Sequence, residues 1–300
     1  MKITGFHLLM TYQCTFECDH CFVWGSPFQS GVMTLEDIRR ILQQARDLES
    51  VSSIYFEGGE PFLYYPTLLS AVKEAAGQGF QVGIVSNAYW ATSEEDAFAA
   101  LQPFAGLIQD LSVSSDLFHY DEETSRQVSN AQRAAERLGI SSGTISIAQP
   151  SDPCAETSQG QLPEGQSGIM YRGRATVKLI GKARLHPWNE FTECPHENLA
   201  DPGRVHIDPL GNIHLCQGIL LGNLFNTPAD ELCAAYKPER HPVVGPLLAG
   251  GPAELASRYG LAHADSYADA CHLCYEARQQ LRAQMPVFLG PDQVYGVLPG

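Results

Sequence analysis

The chain has 300 residues, 44% hydrophobic and 18% charged, with 19 Lys and Arg against 34 Asp and Glu for a formal charge of -15. This composition supports a globular core without covalent staples, and so acidic a surface repels phosphate backbones, which argues against nucleic acid as a partner. No run is long and apolar enough to cross a membrane, and Met1–Met10 is too short for a secretory signal and lacks a small-residue cleavage site, so a cytoplasmic protein is expected.

The first 150 residues alternate apolar runs with amphipathic segments, the pattern of repeated βα units around a parallel sheet. Lys2–Thr11 reads as the first strand. Thr34 opens a helix running to Glu49, with Asp37 three residues on and Leu35, Ile38, Ile41, Leu42, Ala45 and Leu48 on one face. Val51–Phe56 reads as the second strand, Thr67–Gln78 as a helix ended by a left-handed Gly79, and Gln81–Ser86 as the third strand. Ser93–Leu101 is a helix with a Ser93–Asp96 capping pair, and Leu107–Val113 is the fourth strand. Glu122–Leu138 is a helix stopped by Gly139, and Gly143–Ala148 the fifth strand. Gln149–Gly168, rich in Pro, Gly, Ser and Gln, reads as a loop, and Ile169–Leu179 as a sixth strand. From Trp188 the pattern changes to short strands, turns and clustered cysteines, which sets a boundary near residue 185. Residues 1–185 then form one domain and 186–300 a second; one continuous domain is the alternative, because no long linker intervenes.

Nine cysteines in such a chain point to metal or redox chemistry rather than disulfides. Cys14, Cys18 and Cys21 follow directly on the first strand with x3 and x2 spacing. Three thiolates this close can hold one face of an iron–sulfur cube and leave its fourth iron open to a small molecule. Zinc in the same place needs a fourth ligand, and beyond His20, inside the motif, none stands at the usual spacing. The second strand ends in Glu57-Gly58-Gly59-Glu60-Pro61, where two glycines permit close backbone approach and a carboxylate can accept from an ammonium group. The third ends in Ser86-Asn87 and the fourth in Ser112–Asp116. Such strand ends hold the sites of α/β folds, although Asn87, Ser114 and Asp116 could equally cap the next helices.

Cys194, Cys216, Cys271 and Cys274 form a second set. Val205–Cys216 reads as a tight hairpin that returns Cys216 towards Cys194, and Cys271-His-Leu-Cys274 opens a helix. Four thiolates from three segments suit a closed site, which zinc or an iron–sulfur cluster could fill. Cys233 reads as a buried small hydrophobe, and Cys154 as a loop cysteine that is either functionless or substrate-facing. His119 is the candidate catalytic side chain.

The first cysteine motif resembles the signature of the radical S-adenosylmethionine (SAM) superfamily. Gly58–Pro61 resembles its GGEP motif and Ser112–Asp116 its Ser-x-Asp element, while Gly143–Ile147 departs from the family's adenine-contacting form, so no residue is assigned there. Gly211–Cys216, with Cys194 further upstream than usual, resembles the SPASM/twitch extension, as does Gly173-Arg174-Ala175. No cysteine follows Cys274, which fits the shorter twitch form.

The resemblance implies an α/β fold, a partial (β/α)6 TIM-like barrel with a small cysteine-rich annex. It implies a 4Fe–4S cluster on Cys14, Cys18 and Cys21, SAM contacts from Gly58, Gly59, Glu60, Asn87, Ser114 and Asp116, and an auxiliary 4Fe–4S cluster on Cys194, Cys216, Cys271 and Cys274. The implied reaction is reductive SAM cleavage, hydrogen abstraction and substrate oxidation aided by the auxiliary cluster, with flavodoxin or ferredoxin as electron donor and low oxygen. The alternative is a peptide maturase making crosslinks or epimers, which a chain starting at its first strand, without a peptide-recognition domain, disfavours. A non-catalytic iron–sulfur electron carrier is the reading of another class; it has no use for Gly58–Pro61.

Overall fold

A computed structural model describes residues 1–121, 125–150 and 165–298. The first half is a run of strand–helix units: β1 (Gly5–Leu9), α1 (Leu35–Asp47), β2 (Ser53–Glu57), α2 (Tyr65–Gly77), β3 (Gln81–Ser86), α3 (Glu94–Leu101), β4 (Asp110–Ser114), α4 (Arg126–Arg137), β5 (Ser142–Ile147) and β6 (Gly165–Ser167). The rest comprises α5 (Ala175–Lys178), β7 (His186–Pro187), β8 (Arg204–Ile207), β9 (Asn212–Cys216), β10 (Ile219–Asn223), α6 (Ala229–Ala235), α7 (Val244–Arg258), β11 (Ser266–Tyr267) and α8 (Ala270–Leu281).

Nine strands form one sheet in the order β10-β9-β8-β1-β2-β3-β4-β5-β6. β1 to β6 and β8 pair in parallel, while β9 and β10 turn back antiparallel. This is the expected mixed α/β architecture with a parallel, barrel-like sheet. Strand alternation sorts the two faces: Phe6 and Leu8 of β1, Ile54 and Phe56 of β2, and Leu111 and Val113 of β4 are buried in the core under the helices. The opposite face carries His7, Tyr55, Glu57, Asp110, Ser112 and Ser114, all lining an interior cavity.

The helices form where their caps and apolar stripes direct. Thr34 and Asp37 close a reciprocal capping box on α1, and Ile38, Ile41, Leu42 and Ala45 are buried. Each of the three larger side chains contributes about 1.5–3 kcal/mol by leaving water. Gly79 and Gly139 take the left-handed conformation expected after α2 and α4. The α4 helix starts at Arg126, where the Ser125 hydroxyl accepts from Val128 N and fixes the first turn; residues 122–124 of the expected helix lie outside the described residues.

The sixth strand differs from expectation. It is the short β6 at residues 165–167, whereas residues 169–179 fold back onto the first cysteine loop: Arg174 N donates to Cys21 O, and the chain then enters α5. The sheet continues past residue 185, for β8 pairs with β1, and Val205, Ile207, Ile213 and Cys233 share the main core. A smaller core around Leu199, Leu215, Val243, Val244 and Leu281 supports the second cysteine set. Among the described residues, no helix is long and apolar enough to cross a membrane.

Candidate functional site

The loop after β1 carries Cys14, Cys18 and Cys21 to one wall of a cavity of about 830 Å³. Thiols crowd together there: burial pushes Cys14 up to about 12 and Cys18 higher still, and their mutual charge adds to it. Such thiols become thiolates when a metal supplies the opposing charge. Backbone donors already point at sulfur, with Gly25 N 3.2 Å from Cys21 Sγ and Phe16 N 3.5 Å from Cys14 Sγ. A Cβ on Gly25 would stand in ordinary contact with Cys21 Sγ at 3.5 Å and the Cys14 Cβ at 3.4 Å, so this residue sits directly against the cysteines. An all-sulfur, buried donor set with amide donors to sulfur fits an iron–sulfur cluster.

The β2 end packs directly against this loop. Gly59 N donates to Thr11 O and Glu60 N to Gln13 O. Gly58 sits at φ +151, and a Cβ on Gly59 would fall 1.9 Å from Gln13 O. The close approach that demands glycine is therefore to the cysteine loop's own backbone. Glu60 is fully buried; its carboxylate accepts from Phe62 N, Ser86 Oγ and Asn87 N, and burial raises it to about 7 despite those bonds. It ties the β2 end to the β3 end. Asn87 Nδ2 in turn lies 3.5 Å from Cys14 Sγ and donates to Thr15 Oγ1.

At the β4 end, Ser114 lines the cavity, and Asp116 is buried behind it. Burial works to raise the Asp116 carboxyl, but the hydrogen bond from His119 and the nearby His20 ring hold it below the usual range. His119 Nδ1 meets Asp116 Oδ1 at 2.7 Å, and Ile147 N donates to Oδ2. Gly58, Gly59, Asn87, Ser114 and His119 thus line the cavity together with the three cysteines, while Glu60 and Asp116 brace it from behind.

The second set also converges. Cys194 follows β7, Cys216 ends β9, and Cys271 and Cys274 lie in the first turns of α8, which Asp269 caps. The four thiols feel one another's charge, and burial pushes Cys274 up to about 11 and Cys271 well above its ordinary value. This all-thiol set likewise fits a closed metal site. Cys233 is buried in the main core on α6, as its apolar setting implied. Cys154 lies outside the described residues.

The contacts of three features escaped sequence reading. Arg174 donates from Nη1 to Cys18 O and from Nη2 to Gly25 O, so it holds the first loop from across the chain. Arg172, which lines the cavity, reaches Cys216 Sγ at 3.1 Å. His7, Glu57 and His206 form the third feature. The signal for these last residues was present: each directly follows a buried apolar residue, Phe6, Phe56 or Val205, so strand alternation turns it to the opposite face.

Residues 8–140 match the model of the Radical SAM superfamily. The chain is 28% identical over 110 residues to a protein of Bacillus subtilis (strain 168) described as "Putative peptide biosynthesis protein YydG"; that match covers 37% of this chain and 33% of the other. Two solved structures share the fold. Streptococcus suis SuiB bound to precursor peptide SuiA aligns with TM-score 0.53 and 14% identity, covering 90% of this chain and 76% of that one. BtrN in complex with AdoMet and 2-DOIA aligns with TM-score 0.50 and 17% identity, covering 77% and 81%.

Proposed function

We propose, from the premise that residues 8–140 of this chain are a radical SAM domain, that the enzyme cleaves SAM reductively and takes a hydrogen atom from a substrate in the barrel cavity. Cys14, Cys18 and Cys21 would hold a 4Fe–4S cluster, which would supply one-electron reduction of SAM, and Cys194, Cys216, Cys271 and Cys274 would hold a second, which would supply an electron acceptor for substrate oxidation.

The protein's part is positioning. Arg174 and Gly25 set the first cysteine loop, and Glu60 fixes the relation of the β2 end to the β3 end. Gly58, Gly59, Asn87 and Ser114 offer the cavity wall on which SAM would lie, with Glu60 and Asp116 holding its backbone in place. His119, oriented by Asp116, presents a ring to the same wall and can exchange a proton there. Residues 1–185 supply the SAM half of the site and 186–300 the auxiliary half. A flavodoxin or ferredoxin is the fitting electron donor, and oxygen-sensitive thiol sites suit a reducing cytoplasm.

The observation that supports this reading best is the shared cavity. Cys14, Cys18 and Cys21 line it, and so does Arg172, which is in contact with Cys216 Sγ. Oxidation of a substrate lying between the two sets needs that arrangement. The similarity to YydG favours a second reading of the outcome, in which the substrate is a peptide and the radical is used to modify it.

Anaerobic reconstitution with iron and sulfide, followed by SAM and dithionite, tests the core of the proposal. 5′-Deoxyadenosine is expected. Its absence from protein carrying a full complement of iron would leave only an electron carrier.

A further inference from the structure

His7, Glu57 and His206 stand together on the cavity face of three neighbouring strands. In register, His7 of β1 lies opposite Tyr55 of β2 on one side and His206 of β8 on the other; Glu57 follows two residues after Tyr55 on the same face. Glu57 Oε1 is 2.6 Å from His7 Nδ1 and 3.4 Å from His206 Nε2, and donor atoms of all three lie within 4.8 Å of one another. We propose that these three side chains bind one divalent transition-metal ion of the zinc or iron(II) class, at a site separate from both cysteine sets and open to the cavity.

The donor set selects the ion class. Two imidazoles and one carboxylate suit zinc or a later first-row metal, whereas magnesium and calcium prefer oxygen alone. Ion–ligand distances of about 2.0–2.2 Å place neighbouring donor atoms about 3 Å apart, within the spread present here. The ligands sit on hydrogen-bonded strands rather than loops, so their backbones are fixed. The His7 ring is further held by stacking on Tyr55, at 4.7 Å and 8°, and by the edge of His206 at 5.3 Å.

Arg204 adds positive charge near Glu57, and it also approaches Glu197, at 4.0 Å. Three protein ligands leave coordination positions towards the cavity, where an oxygen or nitrogen of a bound molecule would complete the sphere. The ion site rests on its own donors and stands whether or not SAM binds above it.

The test uses protein whose cysteine sites have been loaded anaerobically with iron and sulfide. Zinc is added, unbound metal is removed by gel filtration, and zinc and iron are counted per chain. One zinc per chain at unchanged iron is expected, with affinity weakened about tenfold or more in His206→Gln and in Glu57→Gln. No retained zinc in the wild type, or equal retention in folded variants, overturns the proposal. Zinc-edge anomalous diffraction from wild-type crystals tests it without any variant. A peak among His7, Glu57 and His206 is expected, and zinc found only at the cysteines, or nowhere, overturns the site.

Discussion

Arg172 and Arg174 reach opposite cysteine sets from one short segment: Arg172 Nη1 lies 3.1 Å from Cys216 Sγ, and Arg174 Nη1 donates to Cys18 O at 2.8 Å. Gly173 between them sits at φ +62, and a Cβ there would strike Cys21 O and the Phe22 backbone at 2.5 Å. The segment is thus a cross-brace whose turn only glycine can make.

Arg174→Ala removes that brace and leaves the carbonyls of Cys18 and Gly25 without their charged donor. A loss of about 3 kcal/mol is expected from two such buried bonds. Anaerobic denaturant unfolding reads it, and a loss below about 1 kcal/mol would show that the brace is dispensable. Arg174→Lys should restore part of the loss, because one ammonium cannot span both carbonyls as the guanidinium fork does.

Cys271→Ala separates the two cysteine sets. Iron is expected to fall from about eight atoms per chain to about four, the content of one cube. SAM cleavage to 5′-deoxyadenosine should survive, while product formation fails. Loss of cleavage as well would assign the second set to structure or to delivery of the first electron.

Gly59→Ala and Gly77→Ala form a matched pair. At Gly59 a Cβ would meet Gln13 O at 1.9 Å, so the cysteine loop must move, and a loss of about 3 kcal/mol or more with impaired iron uptake is expected. At Gly77, near the end of α2, a Cβ meets nothing within 4 Å, and alanine should gain about 0.5–1 kcal/mol through helix propensity. Melting temperatures moving in opposite directions confirm the contrast; equal shifts refute it.

His241 sets a pH dependence of stability. Its buried Nδ1 accepts from Val243 N and Val244 N, and its Nε2 donates to Leu220 O, which fixes the neutral ring. Burial lowers its pKa below the ordinary 6.5, against the pull of the Leu220 carbonyl. The folded state then binds fewer protons than the unfolded one. Its contribution is whole above pH 6.5 and is lost as pH falls below that value. His206 acts in the same sense. The urea midpoint should fall from pH 7 to pH 5, and fall less in His241→Gln. An identical slope in the variant would clear His241 of the effect.

Much of this molecule is legible in its sequence, for identifiable reasons. Thr34 with Asp37, Ser93 with Asp96, and the left-handed Gly79 and Gly139 are local signals, and each acts where it stands. Cys14, Cys18 and Cys21 lie close in the chain, so their convergence is also a local property. What stays hidden is long-range. Nothing near residue 174 says that its guanidinium will meet the carbonyl of Cys18, 156 positions away. Residues 169–179 read as a strand because apolar content marks burial without saying what covers it. Glu60 stands out as part of a motif, but its bonds to Ser86 and Asn87 are not legible, because only the folded sheet brings the β2 and β3 ends together.

The position of β8 beside β1 bears on how the molecule is made. β1 acquires one of its two lateral partners only after some two hundred further residues have been synthesised. Until then its outer rim of amide and carbonyl groups is an open template, available to any passing chain. Successful biogenesis should therefore depend on a chaperone or on rapid translation of the second half, and variants truncated ahead of residue 204 should collect in inclusion bodies.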